Sequence, residues 1–298
     1  MQLTPADPGR QADAEDMLID WPRAGGQPPV TGTIRELPAD FEVEEVLPFE
    51  PSGEGTHVWL FLEKQSVNTE WVARRLASHA GVRPVDVGYA GMKDRHALTR
   101  QWFSINLAGR EEPDWEALNG DDLRLIRCLR HGRKLKKGAL SGNRFNIQVR
   151  DLKGDVAALE QRLQAIAAEG IPNYFGEQRF GREGANLVSA LNLFAGERIR
   201  NRHKRGLLLS AARAALFNHV LARRVTEKTW HHALAGDLMM LDGSHSIFAC
   251  PQPDDTIAGR LAAMDIHPTG PLWGEGGTQA DAAVRSLEDA VANELLPL

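Results

Sequence analysis

The sequence predicts an α+β fold, and three features carry that expectation. Period-two alternation of apolar and polar residues, the signature of half-buried strands, recurs in short stretches between residues 31 and 150. Helical patterns are interspersed among them, at 69–80 and 155–169. Beyond Gly170 the composition changes, and alanine-rich helical stretches take over.

Residues 1–29 are polar, hold Pro5, Pro8, Gly25, Gly26, Pro28 and Pro29, and show no period, so they read as a mostly extended leader. Strands are expected at 31–36, 40–46 and 56–64, the last being THVWLFLEK with its β-branched and aromatic residues. A helix follows over 69–80, with Asn68 as N-cap, Val72 and Leu76 one turn apart, and Gly81 to end it. A glycine-rich loop then leads into a strand near 99–107. At 122–130 Leu123, Leu125 and Leu129 alternate with Arg124 and Arg130, which predicts a strand with the leucines on one face. After the turn GALSGNRF, Phe145, Ile147 and Val149 alternate with Asn146, Gln148 and Arg150 in another strand.

The helix at 155–169 has Asp155 as cap, a stripe of Val156, Leu159, Leu163 and Ile166, and Gly170 past its end. Helices are expected at 184–195 and 210–225, joined by a basic linker ERIRNRHKRG. A Gly/Pro-interrupted region covers 236–278 before a last helix at about 279–295. A domain boundary is expected near 169, separating 30–168 from 169–298.

The 298 residues suffice for about two domains, with the composition of a soluble globular protein. No apolar run reaches the roughly 20 residues of a membrane span, and the opening residues lack a secretory pattern. Cys128 and Cys250 fit no ligand spacing, which predicts reduced thiols in the cytoplasm and no metal; the adjacent His231 and His232 would diverge on a helix. A GxxxxGK loop is absent, which argues against nucleotide hydrolysis. Trp59, Trp71 and Trp102 sit in apolar patterns and are expected in the core.

The net charge of −5 conceals a segregation. Residues 1–50 and 225–298 each hold eleven acids against three Lys/Arg, whereas 124–150 hold nine Lys/Arg and no acid. Residues 179–224 have ten against two. Such a distribution predicts a basic groove for a polyanion on an acidic protein.

The chemistry concentrates in residues 88–104, GYAGMKDRHALTRQWFS. Gly88 and Gly91 permit a tight turn, and Asp94 lies among Lys93, Arg95 and His96. Such an Asp can be a nucleophile, a cation anchor or half of a salt bridge, and in isolation the salt bridge is the first reading. With KLKKGALSGNRF at 134–145 and GIPNYFGEQRFG at 170–181, the stretch resembles the tRNA pseudouridine synthase D (TruD) family, three motifs in the same order. The resemblance covers about nine tenths of the chain.

The resemblance implies a pseudouridine-synthase-type mixed sheet flanked by helices, here 30–168, with a second, inserted α/β (TRUD) domain, here 169–298, and an RNA-binding cleft between them. It implies a cofactor-free isomerase of tRNA, acting on a uridine such as uridine 13. Asp94 matches the catalytic nucleophile and Arg35, in TGTIREL, the basic residue that orients it. Phe145 matches the aromatic that stacks on the base, Asn143 a pocket asparagine, and Phe41, in PADFEVEE, a pocket wall. By pattern alone Phe145 and Phe41 are core, Asn143 is turn chemistry and Arg35 an exposed strand residue.

Lys134, Lys136, Lys137, Arg179 and Arg182 are candidate phosphate contacts. The family's returning C-terminal strand, with its aromatic–proline–glycine segment, has no match before ANELLPL; a monomer is expected where that strand is present. Other classes of function remain: a non-catalytic RNA-binding protein or chaperone with an incomplete pocket, and a glycosidase, for which the loop offers only Asp86 as second carboxylate.

Overall fold

A computed structural model describes residues 18–107, 109–244, 246–274 and 276–295. The chain forms two compact units, Val30–Asp155 and a second built from the N-terminal segment together with Val156 onward. The division therefore falls before the helix that ends at Glu169, not after it as the composition change at Gly170 suggested.

In the first unit β1 (Val30–Ile34), β2 (Phe41–Val46) and β3 (His57–Gln65) precede helix α1 (Thr69–His79). Then come β4 (Val87–Tyr89), β5 (Leu98–Asn106), β6 (Leu123–His131), β7 (Gly142–Ile147) and β8 (Val149–Gly154). The main sheet runs β6-β3-β5-β2-β7, with β4 on the far half of the β5 edge that carries β2. It is mixed: β2 runs parallel to β5 and the other pairs are antiparallel. β1 and β8 form a separate antiparallel pair.

Strand alternation divides β3 between two cores. Val58, Leu60 and Leu62 pack with Val72 and Leu76 of α1 and with Phe103 and Ile105, while Trp59 faces Trp102, Leu135 and Ala90 on the opposite side. Each of these aliphatic side chains, removed from water, contributes about 1.5–3 kcal/mol. Helix α1 begins after an extended Asn68, although no side-chain cap bond forms, and Gly81 at φ +61° supplies the left-handed end.

Several expectations are corrected. The register of β6 slips between Phe61 and Leu62, so that Ile126 is an extra residue; beyond this bulge Leu129 joins Trp59 instead of the face of Leu123 and Leu125. Trp71 is exposed and Arg75 lies 5.3 Å over its ring. The strand foreseen through Arg150 breaks at Gln148, whose N–H donates to the Asp40 carbonyl at 2.8 Å. Its apolar residues are not core: Phe145, Ile147 and Val149 are exposed.

In the second unit α2 (Val156–Glu169) leaves Val156, Leu163 and Ile166 of its apolar stripe exposed. After it come α3 (Glu177–Phe180), α4 (Ala185–Phe194), α5 (Arg202–Thr226), β9 (Asp237–Leu241), β10 (Ile247–Cys250), α6 (Asp255–Ala262), β11 (Ile266–Pro268) and α7 (Ala282–Leu295). The second half of the supposed basic linker is the first turn of α5, capped by Asn201, whose side chain accepts from the Lys204 N–H at 3.0 Å. Ala211, Ala214 and Ala215 of α5 are buried against Phe180 and Leu187.

The Gly/Pro-interrupted region holds a three-stranded sheet, β10-β9-β11. Gly236 is required there, because a Cβ would stand 1.8 Å from the Asp281 carbonyl oxygen. His231 and His232 lie in a turn, not on a helix, with ring centroids 3.9 Å apart.

Residues 1–17 of the expected leader lie outside the described residues. Its remainder is packed: Trp21 stacks on Tyr174 at 5.7 Å, and Arg162 donates to the carbonyls of Gly26 and Gln27. Among the described residues no helix is long and apolar enough to cross a membrane.

Candidate active site

Asp94 lies on the loop between β4 and β5, within the first unit. Its carboxylate oxygen Oδ2 is 3.8 Å from a guanidinium nitrogen of Arg35, both side chains being about half exposed (56% and 49%). An ion pair so open to water adds little stability, which leaves both groups available to a ligand. Arg35 follows β1 with φ +62°, in the left-handed region that a non-glycine residue enters at a cost. Its guanidinium carbon sits 4.0 Å over the ring of Phe41.

Phe41 is buried at the start of β2, and its ring meets that of Phe145 at 5.9 Å. Pairing of β2 with β7 sets this neighbourhood: Val43 lies opposite Phe145, and Glu45 opposite Asn143. The structure thus brings Asp94, Arg35, Phe41 and Phe145 into one chain of contacts, with the Phe145 ring 55% exposed. Asn143 is exposed two residues away on the same strand.

The loop bearing Asp94 is held from several sides by residues that sequence reasoning missed. Lys93 forms a 2.7 Å ion pair with Glu45, both side chains nearly sealed from solvent. The second Glu45 oxygen accepts from the Trp102 N–H at 2.9 Å. Burial pushes the Glu45 carboxyl up from its ordinary value, against the opposing effect of Lys93 and that N–H. The Thr69 hydroxyl accepts the Lys93 N–H at 3.0 Å and donates to Gln101, whose amide donates to the Gly91 carbonyl.

Lys64, fully buried on β3, donates to the carbonyls of Val67 at 2.9 Å and of Asp94 itself at 3.1 Å. Burial lowers its ammonium to about 8, an effect moderated by the nearby Asp94 and Glu45 charges and assisted by that of Lys93. Residue type alone does not distinguish a buried Lys64 or Glu45 from an exposed one. The one available signal was the break in alternation, a charged residue where the β3 and β2 patterns call for an inward side chain.

The lysine-bearing loop is also fixed to this region. A Cβ on Gly88 would stand 2.4 Å from the Leu135 carbonyl oxygen, so only glycine admits the approach. The Leu135 N–H donates to Ser104 at 2.8 Å and the Gly138 N–H to the Ala90 carbonyl at 2.8 Å. Lys137 lies 5.9 Å from the Tyr89 ring, and Lys134 donates to the Val85 carbonyl.

The basic run is less free than its composition suggested. Arg124 pairs with Glu63, Arg127 with Glu50, Arg130 with Glu112, Arg144 with Glu44 and Arg150 with Asp40. The acids come from residues distant in sequence, so segregation along the chain becomes pairing in space. Arg179 belongs to the second unit, where it lies over Phe175 and donates to Ser210; Arg182, 93% exposed, stands near Glu183. Among the described residues no cluster of three or more His, Cys, Asp or Glu could hold a metal ion.

A mixed sheet presenting an Asp–Arg pair beside an exposed aromatic ring suits a base-handling enzyme, and comparison with known proteins gives it a family. The family model for tRNA pseudouridine synthase D (TruD) matches residues 23–191 and 195–295. The chain is 51% identical over 270 residues to tRNA pseudouridine synthase D of Methylococcus capsulatus, covering 90% of this chain and 76% of the relative. It is 48% identical over 285 residues to that of Stutzerimonas stutzeri, covering 95% and 82%.

The crystal structure of the putative tRNA pseudouridine synthase D from Methanosarcina mazei superposes with a TM-score of 0.74 at 21% identity, over 92% of this chain and 80% of that one. That likeness establishes the fold. The chain belongs to the tRNA pseudouridine synthase D family and is, with it, a pseudouridine synthase, an isomerase.

Proposed function

We propose that this protein converts a uridine in tRNA, with position 13 as the expected target, to pseudouridine, using Asp94 as nucleophile and no cofactor. The observation that carries this reading is the contact chain from Asp94 through Arg35 and Phe41 to the exposed ring of Phe145. The reaction breaks the glycosidic bond at uracil N1, turns the base and joins the sugar to C5, whose proton is lost. It needs a carboxylate, a cation to aim it, and a flat surface for the loosened base. Arg35 aims Asp94, Phe145 stacks on the base extruded from the RNA, and Phe41 backs both.

Asn143 offers its amide to the uracil edge, and Lys134, Lys136, Lys137 and Arg179 contact phosphates. In this reading Val30–Asp155 is the catalytic core, the unit from Val156 onward is the inserted TRUD domain, and the protein works in the cytoplasm. The test is nucleoside analysis of unmodified tRNA incubated with wild type and with Asp94→Asn. Wild type should yield pseudouridine, and Asp94→Asn should yield none while binding tRNA within a few fold. Binding without turnover by the wild type would instead support the non-catalytic RNA-binding reading.

A further inference from the structure

We infer that Lys64 is a positioning residue for the isomerisation: its buried ammonium anchors the Asp94 backbone and keeps a positive charge beneath the carboxylate. The inference rests on the reading of Asp94 as nucleophile. Lys64 is 1% exposed, and its two hydrogen bonds go to the carbonyls of Val67 and Asp94, not to a carboxylate. Burying a cation whose hydrogen bonds go to no carboxylate is costly. A buried lysine on β3 that grips the backbone of Asp94 therefore points to a task at that residue.

The grip has a geometric consequence. The same ammonium holds the start of the β3–α1 connection at Val67 and the loop at Asp94, so it fixes the peptide from which the carboxylate projects. Misplacing a reacting group by about 1 Å can cost around a hundredfold in rate. The charged groups facing Lys64 are Asp94, Glu45 and Lys93. Its register neighbours, Thr99 on β5 and Leu123 on β6, are neutral. With an ammonium lowered to about 8 by burial, the charge is present at neutral pH and is lost in mildly alkaline solution. An alkaline limb in kcat follows.

The experiment is kcat at saturating tRNA from about pH 6 to about pH 10 for wild type, Lys64→Met and Lys64→Arg, with tRNA affinity and circular dichroism at each pH. Wild type should lose activity along a single ionisation near pH 8. Lys64→Arg, always charged, should keep the rate level through that range. Lys64→Met should turn over about ten- to a hundredfold more slowly at neutral pH, as expected for losing hydrogen bonds from a charged donor, lack the limb, and bind tRNA within about threefold.

A limb unmoved in both variants would assign it to the RNA or to another group and overturn the inference, as would a wild-type rate in Lys64→Met. Should the Met variant fail to fold, the limb of the Arg variant alone decides. Asp94→Asn measured alongside separates the two readings. Activity surviving there removes the nucleophile and this role with it, whereas an inactive Asp94→Asn with an unmoved limb sinks the role of Lys64 alone.

Discussion

The Lys93–Glu45 pair gives the sharpest test of how the Asp94 loop is held. Glu45→Ala would leave the Lys93 ammonium, 6% exposed, buried without its partner. It would also strand the Trp102 N–H that Glu45 accepts at 2.9 Å. Breaking a buried ion pair from one side costs about 3–5 kcal/mol. The orphaned N–H adds to this only in part, since neighbouring losses are not additive. With a urea dependence of about 2 kcal/mol per molar, the unfolding midpoint of the unit Val30–Asp155 should fall by about 2 M.

Near-ultraviolet circular dichroism and tryptophan fluorescence report that transition, because Trp59 and Trp102 lie in its core. Replacing both partners with apolar residues, Glu45→Leu with Lys93→Met, should recover most of the loss. A single variant costing under about 1 kcal/mol, or a double variant no better than the single, would refute the claim that this pair fastens the loop.

Phe145→Ala should leave the fold intact, because the ring is 55% exposed, yet reduce kcat/KM by about ten- to a hundredfold through lost base stacking. A wild-type kcat/KM would remove Phe145 from the pocket. Replacing Lys134, Lys136 and Lys137 together by alanine should flatten the slope of log K for tRNA against log salt by about two to three, as each lost phosphate contact contributes somewhat under one. An unchanged slope would place the RNA path elsewhere. Hydrogen bonds from Arg150 hold the Asp40 carboxyl down at about 2, against an ordinary 3.8. The stability this gives is complete above the ordinary value and is lost as pH falls through 2; acid unfolding of Asp40→Asn should lack that component.

Much of the first unit was legible in the sequence because β2 and α1 each bury one face, which imposes its period on the residues, while β3 and β5, buried on both faces, read as apolar runs. The long motif around Asp94 was legible for a different reason: Gly88 must be glycine where the Leu135 carbonyl approaches, so backbone geometry is written into residue type. Elsewhere the pattern misled. One extra residue at Ile126 reversed the side of Leu129, and no local signal marks a bulge. Phe145, Ile147 and Val149 alternate like a core strand but are exposed, since periodicity reveals that a face is apolar and not what covers it.

The supports of the site were the least visible part. Lys64, Glu45 and Thr69 acquire their roles from partners 30, 48 and 24 residues away, at Asp94 and Lys93. The basic run at 124–150 read as a free cationic surface because its partners Glu63, Glu50, Glu112, Glu44 and Asp40 lie elsewhere in the chain.

The most direct test of Asp94 as the nucleophile is tritium release from tRNA carrying uridine labelled at uracil C5, since a new bond at that carbon must expel its hydrogen. Wild type should release tritium in proportion to the uridine converted. Asp94→Asn, nearly the same shape without the negative charge, should release none above background while retaining tRNA affinity within a few fold. Release from Asp94→Asn at a rate comparable to wild type would contradict the assignment.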